Sequence, residues 1–189
     1  MAAPRRCWLV FGLSAEEALG AAGPGQCRRE LPHGVRRVWP AWSYAVLETD
    51  GGDLYVWGWN ESGQLALPSR AVAEERARDA DGGAGPEEPP LPGEPPGAAF
   101  ISIQAFPALL DLPQEAAVAA VSCGSRHTAA VTRAGELYTW GWGKYGQLGH
   151  GGRASSDCPR RVEQLWAEGL RAQDVVCGPW NTYVCVLQQ

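Results

Sequence analysis

The stretch "GWGKYG" is where residue types and spacing suggest a cofactor, because Gly141, Gly143 and Gly146 satisfy Gly-x-Gly-x-x-Gly after a strand-like run. Such glycines cradle a pyrophosphate only when a helix starts at once and aims its N-terminus at the phosphates. Here "QLGHGG" follows, and it cannot sustain a helix. A metal centre fares no better. The three histidines, His33, His127 and His150, stand far apart, and the six cysteines, Cys7, Cys27, Cys123, Cys158, Cys177 and Cys185, contain no Cys-x-x-Cys pair. No Gly-x-Ser-x-Gly elbow occurs, and no Cys and His can be paired as nucleophile and base. The expectation is a protein that is not an enzyme, with no catalytic residue, no cofactor and no metal, and with its cysteines reduced.

The same glycines must then serve the scaffold. "LYTWGWGKYGQLG" (Leu137 to Gly149) nearly repeats "LYVWGWNESGQLA" (Leu54 to Ala66), and the match extends without a gap from Val38–Ala66 onto Val121–Gly149. A chain repeats its packing residues when it stacks copies of one supersecondary unit. Within each copy "ELYTW"-like runs alternate as strands between turn glycines, and the upstream "HTAAVT" is a second strand, so each copy offers at least a hairpin. Nine Trp and 24 Gly fit short strands and tight turns.

Two half-copies occupy the ends. "LVFGLSAEEALG" (Leu9 to Gly20) matches the back half of the unit, and "VVCGPWNTYVCV" (Val175 to Val186) matches the front half, with Cys177-Gly178 falling on Cys123-Gly124. A circular array closes by building one blade from both termini, so these halves are expected to share one sheet. A net charge of -5 gives no drive toward nucleic acid or acidic membrane. The opening "MAAPRRCWLVFGLSAEE" imitates a signal peptide, but Glu16 and Glu17 interrupt it, and no apolar run reaches membrane length. A nuclear and cytoplasmic location is expected.

The pattern Val-x-x-Gly-x-x-His-x-x-Ala-Val, then Gly-Glu-Leu-Tyr-x-Trp-Gly, then Gly-Gln-Leu-Gly resembles the repeat of the regulator-of-chromosome-condensation family. That resemblance implies a seven-bladed β-propeller. This chain carries two whole repeats and one split repeat, so the fold class expected is all-β, an incomplete propeller of about three blades with one blade divided between the N- and C-termini. Since propellers need about 4 to 8 blades to close, the simplest account is an internal omission, joined between Gly20 and Leu54. The organisation expected is a half-repeat and first full repeat over 1–68, an acidic Pro/Gly-rich disordered insertion over 69–99, and the second full repeat with the closing half-repeat over 100–189. The insertion assignment rests on "SRAVAEERARDADGGAGPEEPPLPGEPPG" (Ser69 to Gly97), which is too poor in apolar residues to bury a core.

Binding in a propeller falls to loops at the blade ends. The candidate partner-binding residues are Trp59, Asn60, Glu61, Arg126, His127, Trp142, Lys144, Tyr145, Trp180 and Asn181. Of each Trp pair, the first (Trp57, Trp140) is expected in the blade core and the second (Trp59, Trp142) partly exposed. His127 sits where the resemblance places a His directed at the small GTPase Ran in the family's exchange factor, and the other two units carry Tyr44 and Asn181 there. With one His in three units, the structural alternative is a His satisfied inside its own blade. The resemblance implies an adaptor or regulatory partner of a JmjC-domain oxygenase or demethylase in chromatin regulation and mitotic fidelity, with histone or chromatin contact through that partner and no sequence-specific nucleic-acid binding. The alternatives are a guanine-nucleotide exchange factor for a Ran-like small GTPase and a non-functional shortened isoform.

Overall fold

The computed structural model describes residues 9–10, 29–30, 34–81 and 99–188. Strands β3 (Val35–Pro40), β4 (Tyr44–Thr49), β5 (Leu54–Trp59) and β6 (Ile103–Leu110) form one antiparallel four-stranded sheet in that order. Strands β7 (Val118–Cys123), β8 (His127–Thr132), β9 (Leu137–Gly141) and β10 (Ser156–Arg161) form a second. The register repeats with the sequence. Tyr44 pairs Gly58 and Leu47 pairs Tyr55, just as His127 pairs Gly141 and Ala130 pairs Tyr138. A short helix, Glu163–Ala167, leads into β11 (Leu170–Cys177) and β12 (Thr182–Gln188), which form a two-stranded sheet. Three antiparallel blades therefore stand side by side, two complete and one represented by its first hairpin, in an incomplete propeller.

Each blade is held by its neighbour. Every residue of β8 is buried, because one face of the strand meets the first blade and the other meets the third. Between the first two blades pack Val46, Val56, Leu65, Val121, Tyr138 and Trp140, and between the second and third pack Ala129, Val131, Leu137, Ala172 and Val175. Trp140 is wholly buried, whereas Trp57, its equivalent, is half-buried. The indole N–H of Trp140 donates to the Gln64 carbonyl of the preceding blade at 2.9 Å. Trp57 has no such blade before it among the described residues.

The glycine of each Trp-Gly is required by closeness. Gly58 and Gly141 have φ of +111° and +103°, and a Cβ there would lie 2.5 Å from the Ser43 carbonyl oxygen or 2.4 Å from that of Arg126. Gly141 and Gly146 thus shape a strand end and a turn, and no helix follows them.

Two expectations are corrected. The terminal halves do not share a sheet at the described positions: β1 (Leu9–Val10) pairs with β2 (Arg29–Glu30), apart from β11 and β12. Closing a loop of roughly 20 residues costs less entropy than pairing across the chain's whole length. The remainder of that half-repeat, 11–20, lies outside the described residues.

The second correction concerns the insertion, whose first part is a helix, α1 (Arg70–Asp81), rather than a disordered loop. Its Ala, Arg and Glu are good helix formers, and all six prolines of the stretch fall at 86 or later. Ser69 leads it in, its carbonyl accepting the first intrahelical bond from the Ala73 N–H at 3.0 Å. The helix docks on the second blade. Val72 is buried, the Ser69 N–H donates to the buried Asp157 carboxylate at 2.9 Å, and Arg76 pairs with that same carboxylate. Glu75 accepts from the Ser155 N–H at 2.8 Å and pairs with Lys144 at 2.6 Å. Burial raises the Glu75 carboxyl, but its bonds to Lys144 and Ser155 outweigh that and hold it below its ordinary value. Residues 82–98 lie outside the described residues.

Candidate protein-interaction face

The repeated Gly-Gln-Leu is an interblade socket. The Gln64 and Gln147 side chains fold back to accept from the Ser62 N–H at 2.9 Å and the Tyr145 N–H at 3.0 Å, which shapes the turn. The main-chain carbonyl of each then faces the next blade, where Thr128 donates to Gln64 at 2.8 Å and Thr182 donates to Gln147 at 2.8 Å. Cysteines add a parallel contact, Cys123 to the Trp39 carbonyl at 3.5 Å and Cys177 to the Ser122 carbonyl at 3.4 Å. Burial pushes their thiols up to about 12 and about 11, so both stay protonated and unreactive.

His127 belongs to this latch and not to a binding surface. Its side chain is wholly buried, and Nε2 lies 3.1 Å from the Thr182 hydroxyl. The Thr182 proton is committed to Gln147, so the imidazole is the donor and carries its proton on Nε2. Burial lowers its pKa to about 4, which keeps the ring neutral. Its one side-chain bond therefore crosses between blades rather than staying inside its own, and the buried Nδ1 has no hydrogen-bond partner among the described residues. Tyr44, the equivalent in the first blade, also points forward and donates to the His127 carbonyl at 2.5 Å. Asn60 is likewise withdrawn from the candidate surface. It is wholly buried, donates to the carbonyls of Leu67 at 2.8 Å and Ile101 at 2.9 Å, and accepts from the Leu65 N–H at 2.9 Å.

The other candidates do come together, at the loop end of the blades. Trp142 and Tyr145, from the β9–β10 loop, meet Trp180, from the β11–β12 loop, in three edge-to-face contacts with ring centroids 4.8, 5.2 and 6.1 Å apart. Main-chain bonds tie both loops to the β7–β8 loop between them: Trp142 N–H to the Arg126 carbonyl at 2.9 Å, and Ser125 N–H to the Pro179 carbonyl at 3.2 Å. Trp142 is half-buried beneath its neighbours, while Tyr145 and Trp180 are 68% and 44% exposed. Trp59, Glu61, Arg126 and Asn181 are exposed at the same end, and Lys144 is tied to Glu75 of α1. A cleft of about 440 Å³ runs between α1 and these loops, lined by Glu61, Glu74, Glu75, Arg126 and Trp142 among others.

Two contributors escape a reading of motifs. Trp42 is 90% exposed in the β3–β4 loop, at the repeat position of Ser125, and the gapless alignment of the copies was the signal for it. Helix α1 supplies one wall of the cleft, and only the Pro-free half of the insertion marked it. Among the described residues no group of three or more His, Cys, Asp or Glu could hold a metal ion, and no helix is long and apolar enough to cross a membrane.

Comparison with known proteins agrees with this architecture. The family model for the regulator of chromosome condensation (RCC1) repeat matches residues 51–131 and 134–185. The chain is 53% identical over 160 residues to RCC1 domain-containing protein 1 of Homo sapiens, covering 77% of this chain and 41% of the relative. It is 31% identical over 133 residues to the ultraviolet-B receptor UVR8 of Arabidopsis thaliana, covering 69% of this chain and 23% of that one. Among solved structures, Prp20p from Saccharomyces cerevisiae, studied for its binding to Gsp1p and histones, superposes with a TM-score of 0.62 at 18% identity, over 87% of this chain and 34% of its own. Human WBSCR16 does so with a TM-score of 0.61 at 21% identity, over 97% and 40%. The chain thus spans about two fifths of the length of the RCC1 domain-containing protein 1 it matches. On its repeated sockets, its blades and these matches, the chain belongs to the family of proteins built from regulator of chromosome condensation (RCC1) repeats.

Proposed function

We propose that this chain is a non-enzymatic protein-interaction module, an adaptor or regulatory partner that offers the loop end of its blades to another protein. The observation that carries the reading is the packing of Trp142, Tyr145 and Trp180 across two blades, with Tyr145 and Trp180 left in solvent. Large rings held rigidly at a surface bury much area for little lost entropy, which is why Trp and Tyr dominate binding hot spots. Exposed Arg126 and Glu61 flank them and supply polar specificity.

The likeness to RCC1 domain-containing protein 1 supports a JmjC-domain oxygenase or demethylase as the partner, with a role near chromatin and in mitotic fidelity and a place in nucleus and cytoplasm. The exchange-factor reading draws on the binding of Prp20p to Gsp1p. It is the weaker one, since His127 faces Thr182 and not a partner. Calorimetric titration of the chain against a JmjC-domain oxygenase tests the proposal. Trp180→Ala and Tyr145→Ala should each weaken binding at least tenfold, while Trp166→Ala, at an exposed Trp outside the cluster, should not. Absence of binding by the folded chain overturns the partner, and binding indifferent to both loop variants overturns the face.

A further inference from the structure

The edges of the sheets are not treated alike. Strand β3 carries Arg36, Arg37 and Pro40, β6 carries Pro107, and β10 carries Asp157, Pro159, Arg160 and Arg161. Charges and proline are the usual guards against pairing with another chain. Strand β7 has no such residue, but it packs among β3, β4 and β11 of the adjoining blades. Strand β11 has Arg171 and Asp174 and packs on β7 and β8. Strand β12 differs from all of these. Its sequence TYVCVLQ has no charge, no proline and no glycine, and its second edge has no partner strand among the described residues. Its outward residues are apolar: Tyr183 is 63% exposed and Leu187 52%.

We infer that β12 pairs antiparallel with β12 of a second copy of this chain. The strand is complementary to itself. About a two-fold axis at its middle residue, Cys185, Tyr183 falls opposite Leu187 of the other copy, Val184 opposite Val186, and Thr182 opposite Gln188. These are aromatic–aliphatic, β-branched and polar cross-strand pairs with no like charges, the kinds that stabilise antiparallel ladders. The product is also the right size. Joining the two hairpins through β12 makes a four-stranded antiparallel sheet, β11-β12-β12-β11, with the strand count of each complete blade here. The contact is isologous, so it closes at two copies and does not run on into a fibre.

A charge-swap experiment reads both the dimer and its register. The full chain should show twice its monomer mass by light scattering. The variant carrying Tyr183→Lys and Leu187→Lys sets like charges opposite each other in both outer pairs, and should dissociate at least tenfold more readily, with an unchanged circular-dichroism spectrum. The variant carrying Tyr183→Lys and Leu187→Glu sets opposite charges there and should return to a dimer. The two variants differ only at exposed position 187, so misfolding cannot separate them. A monomeric wild type, as a strand from 9–20 seated on the same edge would give, overturns the inference, and so does a dimer that responds to neither variant.

Discussion

Thr182 donates its hydroxyl to the main-chain carbonyl of Gln147 at 2.8 Å, one blade after Thr128 does the same to Gln64. The Gly-Gln-Leu turn of one blade is therefore the receptor for the first strand pair of the next. Thr182→Val keeps the shape of the side chain but strands the Gln147 carbonyl and the Nε2–H of His127. It should lower stability by about 1 to 3 kcal/mol in denaturant unfolding. Combined with His127→Gln, the loss should be less than additive, because both substitutions break one network.

Trp140→Ala should cost on the order of 3 to 5 kcal/mol, the range for truncating a fully buried aromatic. Lys144→Ala removes a partly exposed ion pair with Glu75 and should cost under about 1 kcal/mol. Thermal melts of the two variants check the contrast, and equal losses would place the blade core elsewhere.

Acid should weaken the fold through His127. Its pKa is lowered to about 4 in the folded chain from an ordinary 6.5, so between those values the unfolded chain binds a proton that the folded chain refuses. Stability is full above pH 6.5 and falls as pH drops to 4, by up to about 3 kcal/mol for this one group. His127→Gln should flatten that part of the profile, measured as melting temperature against pH. An unchanged slope would assign the acid sensitivity to carboxylates.

Asp157→Ala should release α1 from the second blade. The substitution removes the acceptor of the Ser69 N–H and the partner of Arg76, at a cost of about 1 to 3 kcal/mol. Hydrogen exchange at 70–81 should quicken while β8 and β9 stay protected. Deleting 69–81 should lower the melting midpoint, the reverse of what a disordered spacer would do.

Local pattern was enough to place the strands of the two full repeats and the turns that join them. Period-two alternation and a gapless repeat place β3 to β5 on β7 to β9, and glycine is demanded wherever a backbone must pass within about 2.5 Å of a Cβ position, as at Gly58 and Gly141. These are local constraints, written in consecutive residues. What covers each surface was decided only by the tertiary structure. Asn60 reads as an exposed loop polar, and His127 as either a partner-facing residue or one satisfied inside its own blade, yet Thr182 and the Ile101 carbonyl, 55 and 41 residues further on, bond to them and both side chains are buried. Composition averaged over 69–97 hid a helix, because its seat, Asp157 and Ser155, lies some 80 residues further on. The pairing of Leu9–Val10 with Arg29–Glu30 was equally out of reach, since the repeat pattern specifies which residues can line a blade and not which edge a short strand meets first. Burial and pairing are properties of contacts between distant segments, and no local pattern contains the partner.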